Sequence, residues 1–463
     1  MMCLSEAALA THGRVIGRDV IFSSVGTDSR AAVPDQLFVA LRGERFDGHD
    51  YIEQCLQQGA AAVMVEQAPD ALVAGLLVPD TRLALGQLAS YWRRKFDLPL
   101  AAITGSNGKT TVKEMLAHIL RTATGDDTAV LATQGNLNND IGMPLTLLKL
   151  RAEHRYAVAE MGMNHAGEIS YLTRICRPTV ALVNNATSAH LGGLGSVEAI
   201  AQAKGEIYEG LADDGVAIIN ADDVFAPLWN MLAATRTVLK FGLEHVADVS
   251  ADYRLEADCS QVRLKTPKGN VELRLGVPGL HNVRNALAAA TAALAMGVPL
   301  DRISQGLSEF GGVKGRLQYK RGRHGALVID DTYNANPASM KAAIDVLAAR
   351  PEKKLLVLGD MGELGDEAAS MHAEIGAYAR EAGIAALFAL GELSLDTVRA
   401  FGGEGRHFTE MEALTAALLP EMEQNCAVLV KGSRFMRMER AVEAIAQEER
   451  QQQAAAHNKG GER

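Results

Sequence analysis

Apolar residues along this chain gather in runs of four or five, separated by longer amphipathic stretches. That rhythm predicts short buried strands alternating with covering helices. Up to about residue 97 the strand-like pieces at residues 37–41 and 61–65 sit between turns rich in Gly, Asp and Pro, which predicts a small α/β domain. The charged segment at 92–97 and Leu98-Pro99 close it. Residues 98–312 predict a central, mainly parallel sheet with helices on both faces, its strands at 100–103, 157–159, 180–183 and 216–219. A third run, at 326–329, 354–358, 386–390 and 427–430, predicts a Rossmann-like C-terminal α/β domain over 313–463. Gly311-Gly312 and the basic stretch Lys314-Gly315-Arg316 read as the hinge, and the Gln-rich tail from Gln447 as a frayed end.

The sharpest local signal is Thr104-Gly105-Ser106-Asn107-Gly108-Lys109-Thr110-Thr111. It follows a strand and opens a helix whose apolar positions, Val112, Met115, Leu116, Ile119 and Leu120, keep helical spacing. In that setting glycines let backbone N–H groups close around phosphate oxygens, the helix N-terminus adds partial positive charge, and the lysine reaches the terminal phosphates. Thr110 is then positioned to offer its hydroxyl to magnesium. The usual phosphate loop starts with glycine, whereas residue 103 is Ile. The bland alternative is a tight strand-to-helix turn with a solvated lysine.

A second signal lies on the helix around residue 204. Val197, Ile200, Ala201, Tyr208 and Leu211 form an apolar stripe with Lys204 in its middle. An ammonium on an inward face is costly unless paired, and desolvation depresses its pKa toward a neutral, reactive amine. A snorkelling lysine with a wet head group is the alternative.

Composition narrows the reading. With 46 Lys and Arg against 56 Asp and Glu the net charge is -10, which argues against a nucleic-acid partner. Five scattered cysteines without a C-x-x-C pair suit a reducing compartment and no structural zinc. The longest uncharged stretch, residues 286–300, is shorter than the ~20 apolar residues a membrane span needs. The expected address is the cytoplasm.

The loop 104–110 resembles that of the Mur ligases and the related folylpolyglutamate synthetases. Further matches follow in that family's order: Ala159-Glu160-Met161-Gly162, Asn184-Asn185-Ala186-Thr187 with His190, Gly279-Leu280-His281-Asn282, Gly315-Arg316 and the stretch 330–337. They run from Asp28-Ser29-Arg30 to Lys431-Gly432-Ser433-Arg434, essentially the whole chain. The segments 134–139, 331–337 and 358–365 look like the branch that adds D-alanyl-D-alanine to a UDP-N-acetylmuramoyl tripeptide. The Asp-Asn-Pro-Arg tetrapeptide frequent in the diamino-acid-adding branch is absent.

The resemblance implies an ATP- and magnesium-dependent ligase acting through an acyl phosphate, expected to work as a monomer on the UDP-sugar tripeptide and D-Ala-D-Ala. It implies metal ligation by Glu160 and His190 with Thr110, at the carboxyl ends of strands where open α/β sheets bind ligands. At Lys204 it implies a carbamylated lysine, a carboxylate-like group helping to hold magnesium. Asn282 is expected on the adenine side of ATP, although a helix-capping His-Asn pair fits the same residues. Arg316, Asp331, Asn334 and Asn336 are expected to reach the nucleotide when the third domain closes. Ser29 and Arg30 are expected at the UDP-sugar peptide, as are Asn138 and Asn139. Lys431, Ser433 and Arg434 are expected to hold the dipeptide carboxylate. Three rivals stand beside this reading: the tripeptide-forming ligase, a folate-glutamate ligase, and a phosphate-loop ATPase acting only as a switch or binding module.

Overall fold

The computed structural model describes residues 1–44, 46–69, 72–187 and 194–447. His190 and the tail beyond Gln447 lie outside the described residues.

Three α/β domains follow one another along the chain. In the first, the sheet runs in the order Arg14–Gly17, Ala74–Leu77, Ala62–Val65, Gln36–Val39, Ser24–Gly26, antiparallel only at the first pair. The helix Thr81–Arg93 is capped by Asp80, whose side chain accepts from Leu83 N. It packs its buried face, Leu85, Leu88 and Ala89 among others, into a core shared with the central sheet.

The central sheet has six parallel strands in the order Thr237–Phe241, Val216–Asn220, Val180–Val183, Leu100–Thr104, Tyr156–Glu160, Val130–Ala132. Its inner strands are apolar up to their carboxyl ends, where Thr104, Glu160 and Asn220 stand, because helices cover both faces. On one face lie Lys109–Thr124 and the Ala-rich helix Leu280–Ala295, whose small side chains permit close packing. A three-stranded antiparallel meander, Ser250–Leu255, Ser260–Thr266 and Gly269–Leu275, has no counterpart among the strands the sequence predicts. Its middle strand buries Val262 and Leu264 and exposes Arg263 and Lys265 between, a two-residue period in a segment too polar to read as a core strand.

In the third domain the order is Gln318–Arg321, Leu327–Asp331, Cys426–Lys431, Lys353–Gly359, Ala386–Leu390, Gly405–Phe408, with only the first strand antiparallel. The chain enters it through Gly312, at φ 89°, and the tight turn closed by the Val313–Arg316 bridge. No helix among the described residues is long and apolar enough to cross a membrane.

Candidate active site

Two cavities meet at the loop after the strand Leu100–Thr104. The larger, about 1090 Å³, is walled by all three domains. The smaller, about 430 Å³, lies between the helix Leu280–Ala295 and the third domain. Asn107, Gly108, Arg316 and Lys431 line both, so whatever occupies the loop faces the two spaces at once.

The loop is shaped from below. Gly108 sits at φ 79°, and a Cβ there would lie 2.3 Å from Asn285 Oδ1. Asn185 accepts from Ser106 N through its backbone oxygen at 3.0 Å and from Asn107 N through Oδ1 at 2.8 Å. Asn184 Nδ2 donates to Asn107 O at 2.9 Å, and Asn107 Nδ2 donates to Thr187 Oγ1 at 3.1 Å. Asn184, Asn185 and Thr187 are legible as a motif, but their hold on the loop depends on strand Val180–Val183 lying beside Leu100–Thr104.

Lys109 Nζ donates to Gly105 O at 2.6 Å, curling over the loop it starts from. Burial lowers its pKa, with Glu160 opposing that shift and Arg316 adding to it. Glu160 ends its strand 2% exposed. One of its oxygens accepts from Asn138 Nδ2 at 2.9 Å, while the other, Oε2, is buried without a hydrogen-bond partner. An orphaned carboxylate oxygen at a cavity wall is an unmet demand for a cation or donor. Among the described residues no group of three or more His, Cys, Asp or Glu side chains is set to hold a metal. A divalent ion here would take Glu160 Oε2, the Thr110 hydroxyl and phosphate oxygens, a hard-oxygen set that suits magnesium.

Lys204 is 1% exposed on the stripe with buried Ile200, Ala201, Tyr208 and Leu211. Burial drives its pKa well below the ordinary lysine value, and the nearby Lys109 charge adds to the shift. Lys204 lines the larger cavity, and no hydrogen bond to its side chain forms among the described residues. Beneath this wall lies a buried cation that the sequence does not single out. Lys113 Nζ donates to Thr133 O at 2.7 Å, and Thr133 Oγ1 in turn accepts from Glu160 N at 3.0 Å. Its only trace in the sequence is its place among the buried positions of the helix.

The third domain reaches the loop directly. Arg316 stacks on Tyr333, 4.3 Å from the ring centroid, and its Nη2 donates to Thr110 Oγ1 at 3.1 Å. Asn336 caps the helix Pro337–Ala348, accepting from Ser339 N, while its Nδ2 donates to Asn107 Oδ1 at 2.8 Å. Asp331 pairs with Lys431 at 2.6 Å and also accepts from Leu317 N. Lys431 also donates to Asn334 O, so its charge is already compensated within the third domain. Ser433 Oγ accepts from Gly362 N at 2.8 Å, tying two loops of the cavity wall, and Arg434 pairs with Glu439 on the rim.

Asn282 lines the smaller cavity, but its Nδ2 donates back to Pro278 O, and the helix cap is Gly279. The capping alternative therefore does not describe it. Beside it, burial pushes the His281 imidazole down to about 4, with Asp331 pulling the other way. Asn138 and Asn139 line the larger cavity, where Asn139 Oδ1 also accepts from Gly142 N at the start of a short helix. Ser29 and Arg30 reach neither cavity. Arg30 forms an exposed bidentate pair with Asp28 on the outer part of the first domain.

A phosphate loop, an unpaired carboxylate oxygen, a buried uncompensated lysine and a third domain seated on the nucleotide side define a nucleotide-dependent ligase site. Comparison with known families agrees: the Mur ligase middle domain matches residues 103–293, the Mur ligase glutamate ligase domain 315–434, and the Mur ligase family catalytic domain 21–93. The chain is 42% identical to the UDP-N-acetylmuramoyl-tripeptide--D-alanyl-D-alanine ligase of Escherichia coli, over 96% of this chain and 98% of that protein. The crystal structure of MurF from Acinetobacter baumannii superposes with a TM-score of 0.89 at 39% identity, covering 96% and 98% of the two chains. That of MurF ligase from Thermotoga maritima in complex with ADP gives 0.80 at 27%, over 91% and 96%. The chain belongs to the Mur ligase family and is an ATP-dependent, amide-bond-forming ligase.

Proposed function

We propose that this enzyme joins D-alanyl-D-alanine to UDP-N-acetylmuramoyl tripeptide in the cytoplasm, the function named for the relatives above. The observation that carries the chemistry is the single loop shared by two cavities. ATP seated in the smaller one sends its γ-phosphate into the larger, where the tripeptide carboxylate and the dipeptide amine meet it. A carboxylate oxygen attacks phosphorus, the bond to the β-phosphate oxygen breaks, and ADP leaves. The amine nitrogen then attacks the acyl carbon, the bond to phosphate breaks, and the nitrogen gives up a proton.

Lys109 and the N-terminus of its helix hold the charge that develops on the transferring group. Arg316 adds a second cation from the third domain, so closure and nucleotide binding are one event. Glu160, Thr110 and His190 would hold magnesium, whose charge would screen the two anions that must approach. Lys204, buried on the cavity wall with its pKa driven down by desolvation, would take up carbon dioxide as a carbamate and complete that shell. Asn282 serves the adenine side; Asp331, Asn334 and Asn336 form the nucleotide face of the closing domain. Asn138 and Asn139 serve the tripeptide, and Ser29 with Arg30 the uridine diphosphate at the far end of the first domain. Ser433 and Arg434, with Lys431 set behind them, serve the dipeptide carboxylate.

The test is an omission assay by mass spectrometry. With ATP and the UDP-muramoyl tripeptide, only D-Ala-D-Ala should trigger ADP release and a pentapeptide product. ATP turnover without either acceptor substrate would make the chain a switch, and release triggered by glutamate or a diamino acid would move it to another branch. Lys204→Ala should be inactive and recover with added short carboxylic acids; full activity without them removes the carbamate.

A further inference from the structure

On the side of the larger cavity away from the third domain, the first and central domains each contribute one member of an ion pair. Arg82, from the helix Thr81–Arg93, donates from Nε and Nη2 to the two oxygens of Asp140, with the Nη2 bond at 2.9 Å. Both residues line the cavity, together with Asp80, Tyr171 and Asn138. Their side chains remain 56% and 30% exposed. An ion pair so open to water adds little to stability, so holding the domains together does not account for its place on this wall.

What the pair still offers is specific. Two of the five guanidinium N–H donors are spent on Asp140 and three remain. The Asp140 oxygens keep free lone pairs, and Asp80 adds a second carboxylate whose charge falls on Arg82. Unused cationic donors and unused anionic acceptors thus lie side by side, the complement of an amino-acid zwitterion. The location matches an end of the acceptor peptide. Asn138, whose amide holds Glu160, is two residues from Asp140, so their Cα atoms lie at most ~7 Å apart.

We propose that Arg82 and Asp140 read the end of the tripeptide's third side chain, Arg82 taking a terminal carboxylate and Asp140 with Asp80 the ammonium beside it. The site selects a side chain ending in an amino-acid zwitterion, as in 2,6-diaminopimelate, over one ending in a bare ammonium, as in lysine. This rests on the tripeptide reading given above.

The experiment compares two UDP-muramoyl tripeptides, one with diaminopimelate and one with L-lysine, in wild type, Arg82→Met, Arg82→Lys and Asp140→Asn. Wild type should favour the diaminopimelate tripeptide in kcat/KM by about tenfold or more, the weight of one lost charge-assisted contact. In Arg82→Met that ratio should collapse toward one, through KM for the tripeptide rather than for ATP. Arg82→Lys, which keeps the charge and loses the fork, should fall between. Asp140→Asn should weaken both tripeptides, since both carry the ammonium. Equal use of the two by wild type overturns the assignment, as does an unchanged ratio in every variant. An equal loss on both in Arg82→Met also overturns it, because Arg82 would then read a carboxylate common to the two. If wild type makes pentapeptide from neither, the proposed function itself falls, an outcome distinct from equal use.

Discussion

Asn336 joins two domains through one side chain, for its Oδ1 accepts from Ser339 N at the start of a third-domain helix while its Nδ2 donates to Asn107 Oδ1 in the phosphate loop at 2.8 Å. The cap and the bridge can be separated chemically. Asn336→Asp keeps an oxygen for the cap but replaces the bridging donor with an acceptor facing an acceptor. It should raise KM for ATP and lower kcat while leaving the melting temperature near wild type. Asn336→Ala should lose both, with about 1 kcal/mol of stability for the missing cap. Steady-state kinetics beside thermal melts checks the separation.

The loop itself tolerates no side chain at Gly108. Alanine there would occupy a left-handed conformation, costing about 1–2 kcal/mol. Its Cβ would also press within 2.3 Å of Asn285 Oδ1 and 2.6 Å of Asn184 Nδ2. Asn184 holds the loop at Asn107 O and Asn285 holds Asn184, so Gly108→Ala should lower denaturant stability by about 2 kcal/mol or more and weaken ATP binding at least tenfold. Titration calorimetry with a non-hydrolysable ATP analogue would expose a loop that still binds normally.

How much of this site is readable in the sequence depends on separation along the chain. The Lys204 stripe and the strand–loop–helix around Gly108 are local patterns, and local patterns survive in the sequence as spacing. The Asn184–Thr187 segment is visible as a motif, yet its grip on Ser106 and Asn107 exists only because two strands about eighty residues apart are sheet neighbours. Arg82 and Asp140 are separated by 58 positions and belong to no shared pattern. Lys431, at a strand end, reads as a free charge; the fold gives that charge to Asp331, and no spacing rule reveals a partner one hundred residues away.

Acid should reveal the half-buried imidazole of His281 beside the smaller cavity. His281 is held down to about 4 chiefly by burial, against an ordinary value of 6.5. Between those values the unfolded chain binds a proton that the folded chain refuses, so stability is intact above about 6.5 and is lost as pH falls through that window to about 4. His281→Asn removes the titrating group, and its stability should fall less steeply over the same range. Parallel slopes for the two proteins in urea melts from pH 7 to 4 would place the acid sensitivity elsewhere.

Closure of the third domain has a second bearing, remote from both cavities. Arg350, 8% exposed, is locked to Glu352 by two hydrogen bonds of 2.6 and 3.0 Å. From there it reaches across to the tip of the central meander, where Nη1 donates to Ala257 O at 3.2 Å and also to Asp258. Tyr319 OH donates to the same carbonyl at 3.0 Å, and the guanidinium lies over the Tyr319 ring. Arg350 and Tyr319, the first braced by Glu352, thus converge on one turn of the central domain. Because none of them lines a cavity, any catalytic effect of breaking the contact must pass through domain position. Arg350→Ala strands Glu352 and leaves the Ala257 carbonyl to Tyr319 alone, and should cost about 2 kcal/mol of stability. More tellingly, it should lower kcat/KM for ATP severalfold, because the closed arrangement that seats Arg316 on Thr110 becomes a smaller share of the population. Arg350→Lys keeps the charge without the fork and should recover part of both losses. Small-angle scattering with ADP bound would separate the causes: a wider distribution of domain positions in Arg350→Ala is expected, whereas a wild-type profile with reduced activity would refute the coupling.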